Sequence, residues 1–219
     1  MFNEGYSASS GEGLLQQELS DEAIRLGRLL VQLLPDPEAV GLLALMLLQA
    51  SRQRARSDAE GNLVLLDQQD RSLWDREQIS EGCELVRLAL RSRAFGAYTV
   101  QAAIAAVHAE APSADETDWV EIVGLYDVLQ QHWPSPVVAL NRAVALAQRD
   151  GPQVGLREVE AILRAGDLLE YHLAHAARAE LHQQLGNVEE ARAAWRRALE
   201  LTRQAPERRH IEQRLQALG

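Results

Sequence analysis

Three of the six histidines, His172, His175 and His182, have a spacing that would place them on one face of a single helix. Zinc needs about three or four ligands at roughly 2.0–2.3 Å, and no cysteine or acidic residue shares this spacing. The alternative interpretation is that His175 and His182 take the large packing positions of a helical repeat, with Ala179 as the small residue between them. The sequence favours packing, and we predict no metal site.

Asn141 and Arg142 are a second candidate, because they interrupt the otherwise apolar segment 137–146. An unpaired buried amide or guanidinium costs several kcal/mol, so such a pair must find partners. One interpretation is a polar network between adjacent helical hairpins, with Arg142 paired to a carboxylate such as Asp118 or Asp127. The other is a ligand contact on an inner face. The structural interpretation is favoured.

Two irregular segments combine polar and aromatic side chains. The first contains Asn3 and Glu4, and an ordered cap on the bundle explains it better than a site does. The second contains Asp70, Arg71 and Trp74. These residues either bridge a loop to the core or form a binding edge, and the sequence leaves both interpretations open.

The remaining candidates lie on predicted helices. Gln101 and His108 add polar positions to an alanine-rich helix, where close packing accounts for most of the pattern. Cys83 is predicted to be a small buried filler and not a reactive thiol. The sequence has no phosphate-binding loop, dinucleotide-binding glycine fingerprint or catalytic-triad spacing. We therefore predict a chain that is not an enzyme and binds no cofactor.

The elements that position these residues are predicted to be helical, because strong helix formers (Ala, Leu, Arg and Glu) dominate the composition. A first helix is predicted to be capped at 20–22. Its apolar stripe consists of Ile24, Leu26, Leu29, Leu30 and Leu33. A second helix is predicted from 38 to about 51, followed by an irregular loop at about 52–74.

The second half of the chain has a regular spacing. Gly151 and Gly186 are each predicted to close a helix, and they lie close to one tetratricopeptide period of 34 residues apart. The segment 185–201 resembles the second half of such a repeat, with Ala191 at the small packing position and Trp195 at the bulky one.

These patterns predict an all-α fold, a right-handed α-α superhelix of tetratricopeptide-like helical hairpins. We expect an N-terminal helical subdomain at 1–111 and the tetratricopeptide-like repeats at 112–219, joined in one continuous domain. Stacked hairpins of this kind usually form a concave surface that binds another polypeptide.

The net charge argues against a nucleic-acid-binding protein, and the length of the longest apolar run argues against a membrane-spanning one. The chain has 22 basic residues, all of them arginine, against 32 acidic ones, and its net charge is −10. Duplex binding is driven by neutralising phosphates, so we do not expect this chain to bind nucleic acid by itself. The longest apolar run, 39–50, is about half of a membrane span. With one cysteine and no predicted signal peptide, we expect a soluble cytoplasmic protein without membrane contact.

Several blocks together resemble one family over nearly the whole chain. They are FNEGYSASSGE, EAIRLGRLLVQLLPD, GLLALMLLQASR, LVLLDQQDRSLWD, AYTVQAAIAAVHAEAPSADETDW, SPVVALNRAVALA and YHLAHAARAEL, with the tetratricopeptide-like end. They are similar to the C-terminal extension of one group of bacterial extracytoplasmic-function sigma factors of RNA polymerase.

The resemblance implies a parent protein whose N-terminal sigma domains, absent from this sequence, direct RNA polymerase to promoters for transcription initiation. The chain would be a detached extension that regulates sigma activity by contacting its own sigma domains and RNA polymerase, reaching promoter DNA only through the missing domains. The resemblance implies no catalytic role. It implies a working surface among Asn3, Glu4, Asp70, Arg71, Trp74, Gln101, His108, Asn141 and Arg142.

The rival hypothesis is a small-ligand-binding or enzymatic helical domain. Its polar inner cavity would gather Glu4, Asp70, His108, Asn141 and Arg142. An interaction domain is expected to bind sigma domains added in trans, whereas a ligand domain is expected to show a closed polar pocket. A third hypothesis is a peptide-binding scaffold unrelated to transcription.

Overall fold

The computed structural model describes residues 13–219, with side chains from residue 18 onward. Within this range it contains ten α-helices and no strand beyond one isolated bridge between Ser57 and Leu63. The helices are α1 (Gly13–Leu33), α2 (Pro37–Ala50), α3 (Arg76–Arg91), α4 (Ala97–Glu110), α5 (Trp119–His132), α6 (Pro136–Asp150), α7 (Pro152–Arg164), α8 (His172–Gln184), α9 (Val188–Leu201) and α10 (Ala205–Ala217). The prediction of an all-α fold built from helical hairpins is confirmed.

The chain divides into two compact units, Met1–Asp118 and Trp119–Gly219. In the first unit, α2 packs against α1, α3 and α4. In the second unit, each helix from α5 to α10 packs against the next one along the chain. None of the helices in the described part of the chain has the length and apolar character needed to cross a bilayer.

The α2 helix lies at the centre of the first unit because its sequence is apolar on nearly every side. Asp36 caps it by accepting a hydrogen bond from the Glu38 N–H at 2.9 Å, and Pro37 takes the first helical position. Its buried residues form one core cluster with α1, consisting of Ala23, Ile24, Leu43, Met46 and Leu47. On α3, Cys83 is buried as predicted, and burial raises the pKa of its thiol to about 11.

The backbones of α2 and α4 approach closely at Gly41. A Cβ at this position would lie 2.7 Å from the backbone N and Cα of Thr99. One turn earlier, the Glu38 carboxylate accepts hydrogen bonds from the N–H groups of Gly96 (2.7 Å), Tyr98 (2.9 Å) and Thr99 (3.1 Å). It also accepts one from the Thr99 hydroxyl at 2.9 Å. The first turn of α4 therefore finds its acceptors on α2.

Replacing Gly41 by alanine is expected to lower the free energy of unfolding by about 2 kcal/mol, because the Thr99 backbone cannot move away without separating the two helices. Gly124→Ala on α5 is the matched control, since nothing lies within 4 Å of the added Cβ. Helix propensity alone should make that variant more stable by up to about 1 kcal/mol. Urea unfolding measures both changes. Equal stabilities would contradict the close approach.

Of two predictions about the first unit, one is wrong and the other is confirmed. The cap at 20–22 is wrong, because α1 begins upstream and these residues lie inside it. The sequence between 13 and 19 contains no helix breaker that would stop the helix there. The irregular loop at about 52–74 is confirmed, and it contains three short 3-10 turns, Gln53–Ala55, Leu66–Gln68 and Arg71–Leu73.

The second unit follows the predicted repeat pattern at its helix ends. Gly151 and Gly186 end helices with φ of 98° and 77°, a backbone conformation that favours glycine. Ala191 and Trp195 are both buried, as the repeat register predicts. The sequence predicts a helix over 168–185, closed by Gly186, but the helix begins at His172 because the preceding residues 165–170 form turns.

Candidate functional site

Four of the predicted surface residues, Asp70, Arg71, Trp74 and His108, lie in the first unit where the irregular segment meets the end of α4. The guanidinium Nη1 of Arg71 donates hydrogen bonds to the carbonyl oxygens of His108 (2.7 Å) and Ala111 (2.8 Å). Carbonyls at the end of a helix have no partner within the helix. Arg71 therefore caps α4 from a distant segment.

The same arginine stacks on an indole. The Cζ of Arg71 lies 4.5 Å from the Trp74 ring centroid, and the Cζ of Arg52 lies 6.0 Å from it. Trp74 is only 3% exposed. Asp70 caps the adjacent 3-10 turn by accepting from the Ser72 N–H at 2.9 Å, and hydrogen bonds from Ser72 lower the pKa of its carboxyl group. The segment is thus fixed to the core through Arg71 and Trp74.

His108 lies beside these arginines. Burial, together with the positive charges of Arg52 and Arg71, lowers the pKa of His108 from 6.5 to about 4. The imidazole is therefore neutral in the folded protein at neutral pH. It cannot act as a cation that attracts an anionic ligand.

This pKa predicts that the free energy of unfolding decreases as the pH falls from 6.5 towards 4. In that window the unfolded chain binds a proton at His108 and the folded chain does not, so acid favours unfolding. Well above pH 6.5 the ring is neutral in both states and the penalty is absent. We expect His108→Gln to flatten the decrease by on the order of 2 kcal/mol, measured by urea unfolding at pH 7 and at about pH 4.5. An unchanged pH dependence in the variant would contradict this prediction.

The remaining predicted site residues are Gln101, Asn141, Arg142, Asn3 and Glu4. Gln101 is exposed on α4. In the second unit, Asn141 is exposed and Arg142 is partly exposed on α6, so the expectation of a buried pair is wrong. The pairing of Arg142 with Asp127 is confirmed, with Nε donating to Oδ1 at 2.6 Å. Asn3 and Glu4 lie outside the described residues.

Arg142→Ala is therefore expected to lower the free energy of unfolding by less than about 1 kcal/mol. The side chains of Arg142 and Asp127 are 30% and 54% exposed, and exposed ion pairs contribute little. A double-mutant cycle with Asp127→Ala measures the pair directly. A loss of several kcal/mol would show that the guanidinium belongs to a buried network.

The histidines on α8 are held by other contacts. His175 and His182 are buried, as their predicted packing positions require. The Nε2 of His175 lies 2.9 Å from the Leu169 carbonyl oxygen, and the Nε2 of His172 lies 3.1 Å from a Glu207 carboxylate oxygen. Within residues 13–219, as far as side chains are described, no group of three or more His, Cys, Asp or Glu is arranged to hold a metal ion.

Sequence reasoning did not identify an exposed leucine face on α1. We use this name for Leu26, Leu29, Leu30 and Leu33, which are 43%, 40%, 41% and 85% exposed. Ala23, Ile24 and Gly27, by contrast, are buried against α2. At 100° per residue the two sets lie on faces roughly 120° apart. The apolar stripe of α1 is wider than the face that one neighbouring helix can bury. This width could have indicated, from the sequence, that part of the stripe stays exposed.

Residues 1–90 match the model of a family of unknown function (DUF6596). The chain is also 49% identical over 221 residues to an uncharacterized protein of Rhizobium meliloti (strain 1021), an alignment that covers 100% of this chain and 52% of the relative. The chain thus spans about half the length of the curated relative it matches. No solved structure matches it.

Proposed function

We propose that this chain is a non-catalytic regulatory domain that acts by docking on another protein domain through the leucine face of α1. The observation that carries the proposal is the exposure of four leucines at the helical spacing i, i+3, i+4 and i+7. This spacing is the one with which an amphipathic helix binds in an apolar groove. Large apolar patches on soluble proteins commonly mark interaction sites.

The partner domain belongs to the same longer polypeptide in this proposal. The relative from Rhizobium meliloti has about twice the length of this chain, and the alignment covers 52% of it. A further domain in the parent polypeptide would therefore lie at a high effective concentration relative to the leucine face. Docking within one polypeptide requires only a modest apolar surface, such as four leucines on one helix.

We take the identity of the parent polypeptide from the resemblance to sigma-factor extensions. In this proposal it is a bacterial extracytoplasmic-function sigma factor in the cytoplasm, and the domain controls its engagement with RNA polymerase. One resembling block, EAIRLGRLLVQLLPD, contains the whole leucine face. Another, LVLLDQQDRSLWD, contains the residues Arg71 and Trp74 that fix the irregular segment to α4. The first block contains the proposed docking surface, and the second contains the contacts that fix the irregular segment to α4.

The test is in-vitro transcription with the full-length parent, with the parent lacking this domain, and with the domain added back in trans. We expect deletion to change promoter-dependent output and the add-back to alter it again. The double variant Leu29→Gln, Leu33→Gln should fail in the add-back. Leu88→Gln on α3, which removes a 56% exposed leucine elsewhere in the first unit, is the matched control and should act like the parent domain.

Two results would count against the proposal. If neither deletion nor add-back changes transcription, the domain does not regulate the sigma activity. If the add-back works but the leucine variant performs as well as Leu88→Gln, regulation does not pass through α1. Circular dichroism of each variant establishes that the fold is intact before the transcription assay.

A further inference from the structure

The leucine face of α1 has the spacing of a seam between two helices. Leu26, Leu29 and Leu33 follow the three-then-four spacing of a coiled-coil core, and Leu30 lies beside them. Leu34, which directly follows α1, is 57% exposed, and its N–H still donates to the Leu30 carbonyl oxygen at 2.7 Å. The helix thus presents a continuous apolar strip, and the occupant that fits such a strip is another helix with the same pattern.

Two copies of this face match each other in an antiparallel arrangement. When the twofold axis passes between Leu29 and Leu30, Leu26 of one copy lies opposite Leu33 of the second copy, and Leu29 lies opposite Leu30. Each leucine of the face then meets a leucine, and the same patch serves both copies. A parallel arrangement would place the two Glu22 carboxylates at the same level, where like charges repel.

The charges around the face are balanced within each copy. Arg25 pairs with Glu22, with Nε and Oε2 2.7 Å apart, and Arg28 pairs with Glu81 of α3, with Nη2 and Oε2 2.6 Å apart. Two chains of net charge −10 repel each other, and the repulsion is weakest where acidic groups are paired with basic ones. The surroundings of the leucine face therefore favour a second copy and require no partner of opposite charge.

The size of the face determines the strength of this contact. Leucines with the exposed fractions given above would bury on the order of 1,000 Å² in two copies together, which is the lower end for a specific interface. Contacts of this size are weak, with dissociation constants of about 1–100 µM. A domain linked in one polypeptide has an effective concentration of about 1 mM. A linked domain therefore displaces the second copy.

We propose that the free chain forms a symmetric dimer through the leucine face of α1, and that this dimer masks the surface that docks on the parent polypeptide. The dimer itself is independent of the proposed function, whereas the masking rests on it. Self-association then regulates the docking site by concentration, because a copy in the dimer has no free leucine face.

Analytical ultracentrifugation of the full chain, from about 1 to about 200 µM, tests the dimer. We expect a monomer–dimer equilibrium, which the double variant Leu29→Gln, Leu33→Gln weakens by about a hundredfold or more. Leu88→Gln on α3, which removes a 56% exposed leucine, is the matched control and should associate like the unmodified chain. Circular dichroism checks the fold of each variant. A monomer at every concentration, or an equal loss in Leu88→Gln, would overturn the proposal.

Ionic strength distinguishes an apolar contact from a charged one. The association should be as tight or tighter at about 0.5 M NaCl than at about 0.05 M, because salt screens the repulsion between two acidic chains. The ion pairs beside the face lie within each copy and do not hold the dimer together. A dimer that dissociates at the higher salt concentration would show that charges, and not leucines, form the contact.

Single cysteines test the antiparallel arrangement. In that arrangement position 29 lies level with its own counterpart, whereas position 33 is displaced by about 10 Å along the helix axis. Leu29→Cys should therefore form a disulfide-linked dimer readily and Leu33→Cys should not. The unmodified chain gives the background, since Cys83 is buried and burial raises the pKa of its thiol to about 11. Equal or preferential cross-linking of Leu33→Cys would contradict the antiparallel pair.

Titrating the dimer with the parent polypeptide that lacks this domain separates the inference from the proposed function. We expect the dimer to convert into a one-to-one complex, because both contacts use the leucine face. A dimer that persists while the add-back still changes transcription would overturn the masking. A monomeric chain whose leucine variant fails in the add-back would overturn the dimer and leave the proposed function standing. A dimer without any effect on transcription would have the opposite meaning.

Discussion

Replacing Glu38 by alanine is expected to lower the free energy of unfolding by about 3 kcal/mol. The Glu38 carboxylate accepts from three N–H groups at the start of α4 and from the Thr99 hydroxyl. The N-cap residue of α4, Gly96, has no side chain that could replace it. The negative charge also lies at the positive end of the α4 dipole. Alanine would remove all of these contributions at once.

The comparison that isolates this effect uses Glu84→Ala. Glu84 is exposed on α3, and its replacement changes the net charge by the same amount. Glu38→Gln keeps one carbonyl oxygen as an acceptor and should lose about half as much stability as Glu38→Ala. Urea unfolding followed by far-UV circular dichroism gives all three values. If Glu38→Ala and Glu84→Ala lowered the free energy of unfolding by the same amount, water would be replacing the carboxylate as the acceptor. The contact between α2 and α4 through Glu38 would then contribute little to stability.

Local signals predicted much of the fold because they act within a few residues. The segment 134–136 predicts a helix start, and the Ser135 hydroxyl accepts from the Val138 N–H at 3.1 Å. Gly151 predicts the end of the same helix and has a positive φ there. Such caps depend only on neighbours in sequence. For this reason both ends of this helix could be predicted from the sequence.

Contacts that join distant segments were not predictable in this way. Glu38 caps a helix that begins about sixty residues later, and Arg71 bonds carbonyls of His108 and Ala111. Neither contact leaves a periodic pattern in the sequence. The same holds for α1, where periodicity shows that a face is apolar but not whether another helix covers it. Asn141 and Arg142 looked buried for a related reason, since their apolar neighbours on α6 point to other sides of the helix.

Arginine side chains cap the ends of α4, α9 and α10. Arg192 donates to the carbonyl oxygens of Leu218 and Gly219, both at 2.8 Å, near the end of α10. Arg208 does the same at the end of α9, with Leu199 and Thr202 at 3.0 Å. Arg71 caps α4 in this way too. In each case one guanidinium nitrogen donates to both carbonyl oxygens, so a single arginine side chain satisfies two acceptors at a helix end.

Replacing Trp195 by alanine is expected to be the most damaging single change in the second unit, with a loss of about 4 kcal/mol in the free energy of unfolding. The indole is 3% exposed. It lies in a core cluster with Ala179, Ala194, Ala198 and Ile211. Three of these four neighbours are alanines, which have no longer side chain that could move into the space. The substitution would therefore leave a cavity that these alanines cannot fill, although Leu199, Leu215 and Leu218 pack against the same cluster.

Contacts from α10 add to this loss. The His210 ring lies edge-on to the indole at 6.4 Å between centroids, and the Arg214 Cζ lies 5.9 Å from it. Arg214 also pairs with Glu180 of α8. Removing the indole takes away the ring contacts of His210 and Arg214, and with them part of the packing of α10 on α9. Trp133→Ala is the control, because Trp133 is 37% exposed and should lose much less. Thermal and urea unfolding measure both variants, and similar losses would mean that the last three helices do not share one core around Trp195.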